Sequence, residues 1–208
     1  MDARLTELTV REMVERLATR DPAPGGGCAA ALAGAMGAAL VRMVVDLTPP
    51  EPPESTEALA AIGRGATTWQ SELLNLAELD ANAYSAVVRA RRLPRGTEIE
   101  RQSRDVQIAA AMREATRAPL QTMRAATAVL ELAERLAPLG TRHAISDVGV
   151  GAMLATSSAR GAALNVRINL PYLKDEALRG EATALLERLP DLVERERALS
   201  VVIDGRMP

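Results

Sequence analysis

The sequence predicts an all-α fold, a multi-helical bundle forming a single domain over residues 1–208. Three observations carry this. Hydrophobic residues make up 48% of the chain but aromatics only 1%, and phenylalanine is absent. The core must therefore come from Ala, Leu, Val and Met, which suits closely packed helices better than a sheet. Apolar residues recur at three- and four-residue spacing through most of the chain. Strand-like alternation is confined to VRINL (166–170), too isolated to build a sheet.

The elements follow in order. Thr9 and Glu12 have capping-box spacing, and Val10, Met13, Val14 and Leu17 form one helical stripe behind them. DPAP (21–24) breaks the chain before three glycines. A second helix is predicted over 28–47, with Ala30, Gly34 and Ala38 on one side. That row of small side chains admits another backbone closely. LTPPEPPEST then reads as a proline-rich connector at 48–55.

A long helix is predicted from about Ser55 to Arg91, on the stripe Leu73, Leu76, Leu79, Ala83 and Val87. LPRG turns the chain, and Thr97 with Glu100 makes a second capping box. The helix that follows is expected to break or kink at Pro119 and to resume through Leu136. Ser146–Asp147 reads as the N-cap region of a helix to about Leu164, and NVRINLPYLKD (165–175) as a polar link. A last helix is bent or split at Pro190.

Bulk properties exclude several functions. The formal net charge is −2, no basic block occurs, and few aromatics are present to stack bases, so nucleic acid is not an expected partner. Cys28 stands alone, ruling out an intramolecular disulfide or a multi-cysteine metal site, and the single His143 cannot make a histidine site. No metal is expected. The start is charged and amphipathic, unlike a signal peptide. The apolar run from Gly25 to Val41 is about 17 residues and rich in Gly and Ala, short of the ~20 apolar residues a bilayer requires. No membrane association and a cytoplasmic location are therefore expected.

The residues able to do chemistry are few. GGG (25–27) before a helix offers free N–H groups to an anion or a ligand carbonyl, or simply allows a close helix crossing; both readings stay open. Cys28 sits at a helix start, where the dipole lowers a thiol pKa, but no base lies near it in sequence, and a small buried side chain is the simpler reading. Asp80 lies in DANAY with Tyr84 one turn on. Asp147 lies in SDVGVG, and Asn165 and Asn169 flank an arginine in NVRIN. Each alone is as readily a cap or a solvated polar residue. Together they are candidates to converge on one cleft.

Four stretches resemble one family closely: PAPGGGCAAALAGAMGAALVRMV, DANAYSAVV with LPRGT, SRDVQIAAAMREATRAPL, and ISDVGVGAMLATSSARGAALNVRINLPYLKD. They span almost the whole chain in the order seen in the cyclodeaminase/cyclohydrolase family of folate enzymes. The resemblance implies an all-helical homodimer that takes a tetrahydrofolate derivative as substrate in a cleft near the glycines. It implies either hydrolysis of 5,10-methenyltetrahydrofolate to the 10-formyl form or ring closure of 5-formiminotetrahydrofolate with loss of ammonia. The hydrolysis is the first expectation. A recruited folate-dependent one-carbon transfer and a non-catalytic folate-binding protein are the alternatives.

Carried over position by position, the resemblance makes Asp147 and Asp80 the catalytic candidates. It makes Gly25, Gly26, Gly27, Tyr84, Arg104, Ser146, Gly149, Asn165 and Asn169 the folate-binding ones, with Cys28 added by position although it stands where the family has serine, glycine or alanine. One departure stands out. Where the family usually has a glycine and a run of lysines after L-T, this chain reads LTPPEPPEST, and its one lysine is the distant Lys174.

Overall fold

The structure, a computed structural model, describes residues 4–49 and 53–207. Among these residues seven α-helices follow a short 3-10 turn at Leu5–Glu7: α1 Val10–Leu17, α2 Gly26–Leu47, α3 Pro53–Arg91, α4 Glu98–Leu136, α5 Ile145–Asn169, α6 Glu176–Glu187 and α7 Leu189–Asp204. Among the described residues there is no strand, and VRINL belongs to α5 and the turn behind it. Helices α2 to α5 form the body, each packed on the next and α5 closing back onto α2. This is an up-down-up-down bundle. Helix α7 lies against α5, and α6 touches α4.

Local signals placed several ends well. Thr9 and Thr97 each accept a backbone N–H three residues on, while Glu12 and Glu100 reach back to complete both capping boxes. Other ends differ from expectation. Helix α3 already begins at Pro53, within the proposed 48–55 connector, of which residues 50–52 lie outside the described residues. A proline in a first turn has no N–H that the helix would use. Helix α5 begins at Ile145 behind Ala144, with no side-chain cap from Ser146 or Asp147, and runs through to Asn169. The polar link is thus mostly helix. The last helix is split, with Arg188 between α6 and α7 and Pro190 in the first turn of the second.

Pro119 does not break α4, which is continuous from Glu98 to Leu136. A proline in mid-helix leaves the carbonyl four residues earlier without its donor. Here that carbonyl belongs to Ala115, and Asn169 Nδ2 donates to it at 2.8 Å. A side chain at the end of α5 thus replaces the hydrogen bond that Pro119 removes.

Helix α2 is 22 residues long, and by length and composition it could cross a membrane, which the shorter estimate from sequence missed. Its small-residue face is instead packed inside the bundle. A Cβ on Gly37 would lie 2.7 Å from the Gly151 carbonyl oxygen, and one on Gly34 would lie 2.7 Å from Ser158 Oγ. Two backbones meet here, and neither can give way as a flexible side chain would. Gly37→Val is expected to lower the unfolding free energy by about 2–3 kcal/mol in urea titration, the overpacking outweighing the small gain in helix propensity.

Candidate functional site

The first turn of α2, the middle of α3 and the end of α5 meet around a cleft of about 230 Å³. Its walls include Gly25, Gly26, Gly27, Asp80, Tyr84, Asn165 and Asn169. All seven are candidates from the sequence, brought together from three separate helices. Ala115 and Ile168 also line the cleft. Nothing in the sequence marks Ala115, whose importance comes from the carbonyl that Pro119 exposes.

Asp80 is the electrostatic centre. Its carboxylate sits over the open N-terminus of α2 and accepts the Cys28 backbone N–H. A Cβ on Gly27 would overlap both carboxylate oxygens and Cγ, so glycine is the residue that lets the acid dock there. Around Gly25 and Gly26 a Cβ would meet nothing within 4 Å; their bare backbone faces the cleft. The triplet therefore has two uses, close approach of Asp80 at its last position and room for a ligand at the first two. Burial pushes the Asp80 carboxyl up to about 6, overcoming the Cys28 N–H bond that favours the ionised form. A carboxyl with that pKa exchanges protons readily near neutral pH.

The two asparagines are anchored by backbone. Asn165 Nδ2 donates to the Gly161 carbonyl at 3.2 Å, and Asn169 holds Ala115 as described. Tyr84 is 48% exposed at the cleft mouth.

Cys28 is corrected to a structural role. Its side chain is fully buried in the core, its thiol is pushed up to about 12, chiefly by burial, with the Asp80 charge second, and only its N–H serves the site. Arg104 lies outside the cleft. Its guanidinium donates to the Arg91 carbonyl at 3.2 Å, eleven residues beyond Asp80 on α3, or about 16 Å along the helix. Arg91 in turn lies over the Tyr172 ring, 5.9 Å from its centroid.

Convergence of the two aspartates within one chain is also corrected. Ser146, Asp147 and Gly149 belong to the first turns of α5, whereas the cleft lies at its last turns. From Asp147 to Asn165 is eighteen residues, about 27 Å of helix. A Cβ on Gly149 would touch Ile203 of α7, so this glycine serves packing. His143 is exposed at the same far end.

Larger hollows exist, an apolar groove of about 420 Å³ between α1 and α2 that holds no charged side chain and a hollow of about 630 Å³ between α3 and α4 edged by Glu72 and Arg124, and neither includes a candidate residue. Among the described residues no group of three His, Cys, Asp or Glu is placed to hold a metal ion.

The family model described as formiminotransferase-cyclodeaminase matches residues 9–188. A methenyltetrahydrofolate cyclohydrolase of Methylorubrum extorquens is 37% identical over 199 residues, covering 89% of this chain and 96% of that protein. The formimidoyltransferase-cyclodeaminase of Rattus norvegicus is 27% identical over 207 residues, covering 98% of this chain but 37% of that longer protein. Among solved structures, formiminotetrahydrofolate cyclodeaminase of Thermotoga maritima superposes with a TM-score of 0.82 at 26% identity, covering 96% of this chain and 97% of that one.

Proposed function

The chain belongs to the formiminotransferase-cyclodeaminase family, and on that footing we propose that it hydrolyses 5,10-methenyltetrahydrofolate to 10-formyltetrahydrofolate in the Asp80 cleft. The observation that carries the reading is Asp80 itself, a buried carboxyl raised to about 6 beside bare glycine backbone. Ionised, it attracts the cationic amidinium of the substrate and accepts a proton from the water that attacks the bridging carbon. It then returns that proton to N5 as the C–N5 bond breaks. The second water proton leaves as the formyl carbonyl forms, so the step balances with water as the only co-reactant. The asparagine amides suit the polar edge of the pterin. Arg104, further along α3, suits the carboxylates at the other end of a folate.

In this reading the folate is substrate rather than resident cofactor, no metal is called on, and the working form is a cytoplasmic homodimer. The test is loss of the near-ultraviolet absorbance of methenyltetrahydrofolate against the spontaneous rate. With Asp80 as base, kcat/KM is expected to fall as pH drops through about 6 and to level off above it. A flat profile from pH 5 to 8 would remove Asp80 from that role.

The structural likeness to a cyclodeaminase favours a second reading, ring closure of formiminotetrahydrofolate. Ammonia release from that substrate, without methenyl hydrolysis, would select it. Tight folate binding with neither reaction would mark a non-catalytic folate-binding protein.

A further inference from the structure

Pro119 sits where a helix least tolerates it. Proline is the residue worst suited to a helix interior, yet α4 runs on through it. The buried packing it provides is of the kind that alanine and leucine provide along the rest of α4. What proline alone supplies is a free acceptor. It has no N–H for the carbonyl four residues earlier, and its ring presses that carbonyl away from the helix axis. The carbonyl released belongs to Ala115, which lines the Asp80 cleft, and it receives Asn169 Nδ2 at 2.8 Å.

We propose that Pro119 is a positioning residue of the cleft: the acceptor it frees fixes the Asn169 amide and so sets which ligand edge that wall can read. Asn165 shows what an asparagine near the end of α5 does otherwise. Its Nδ2 turns back to its own helix, to the Gly161 carbonyl four residues earlier, at 3.2 Å. The equivalent partner for Asn169 is the Asn165 carbonyl, but Asn169 reaches across to α4 instead.

A carbonyl oxygen can only accept, so the nitrogen end of the Asn169 amide is the one that faces α4. The oxygen end is left to the cleft. Asn165 is turned the same way, its nitrogen spent on Gly161. With the Asp80 carboxylate, the cleft wall thus sets acceptors from α3 and α5 side by side. They suit a ligand edge of N–H donors, such as the amino group and ring N–H of a reduced pterin. A reversed Asn169 would set a donor against that edge. The proposal deepens the cyclohydrolase reading and rests on it for the identity of the ligand, while the coupling of Pro119 to Asn169 does not.

The test uses Pro119→Ala, Asn169→Ala and the two combined. In Pro119→Ala a restored N–H occupies the Ala115 carbonyl, and Asn169 loses its anchor. The KM for methenyltetrahydrofolate is expected to rise about tenfold, the effect of one misplaced hydrogen bond, with kcat within about twofold of wild type. Asn169→Ala is expected to raise KM as much or more. Adding Pro119→Ala to it is expected to change nothing further, because the proline acts through that amide. Additive effects in the combined variant, or a wild-type KM in Pro119→Ala, would overturn the proposal.

Urea unfolding gives a second cycle that needs no substrate. Asn169→Ala strands the Ala115 carbonyl and is expected to lower the midpoint. Beside Pro119→Ala, where a backbone N–H satisfies that carbonyl, the same change is expected to cost much less. Equal losses in both backgrounds would overturn the proposal. If the wild type does not hydrolyse methenyltetrahydrofolate, the Kd of 5-formyltetrahydrofolate takes the place of KM. The same pattern in Kd would uphold the role of Pro119 and reject the reaction, and an unchanged Kd in Pro119→Ala would overturn that role.

Discussion

Asp80→Asn is expected to lower kcat/KM by about 10²–10⁴-fold while making the protein more stable at pH 8. Both effects have one cause. The folded chain raises the Asp80 carboxyl from 3.8 to about 6, so it holds that proton more tightly than the unfolded chain does. Stability is greatest when the group is protonated in both states. It falls as pH rises between those two values, and by above pH 6 the loss amounts to at most about 3 kcal/mol. Asparagine keeps an oxygen to accept the Cys28 N–H but has no charge to desolvate and no proton to exchange. Urea unfolding of both proteins at pH 5 and pH 8 checks this: the wild type should lose stability across the interval where the variant does not. A variant that is both inactive and destabilised at pH 8 would make Asp80 a structural acid. The unfavourable burial of this charge is the kind of local cost that functional sites carry.

Gly27→Ala is expected to lower kcat by about 100-fold, whereas Gly26→Ala, one residue earlier, is expected to leave kcat near wild type and raise KM, because its methyl enters ligand space and not the space of Asp80. The contrast is geometric. The added methyl at position 27 would occupy the space of the Asp80 carboxylate, whereas at position 26 it would meet nothing within 4 Å. Asp80 has to rotate away from the α2 N-terminus, and a displacement of about 1 Å in a catalytic group costs about two orders of magnitude. The displaced carboxyl also loses the Cys28 N–H, and the pH dependence of whatever activity remains should shift with it. Equal effects at positions 26 and 27 would mean that the glycines serve the ligand alone and not the docking of Asp80.

Much of this molecule is legible in the order of its residues because the signals are local. The capping boxes at Thr9 and Thr97 involve residues three apart, and both ends form where they were expected. The all-helical class follows from a core vocabulary of Ala, Leu, Val and Met, and the small-residue row on α2 does mark a close crossing. Asp80, Tyr84, Asn165 and Asn169 could be named as candidates because of their chemical type and their place in motifs that resemble a known family.

What tertiary structure alone decided is what those residues touch. Pro119 has the local signature of a helix break, yet α4 continues because Asn169, fifty residues later, supplies the missing donor. Ser146–Asp147 resembles an N-cap but caps nothing, and the length of α5 carries Asp147 about 27 Å from the cleft that its type suggested it would join. The helix start at Cys28 lowers a thiol pKa by itself, but packing buries the side chain, in line with the simpler reading of the sequence, and raises its pKa. In each case the local preference is worth about 1–3 kcal/mol, and contacts between distant helices outweigh it. Sequence by itself determined which helices form and which side chains are capable of chemistry, since both depend on near neighbours. The bundle decided which of those side chains meet, because that depends on the distance and direction each helix runs before it ends.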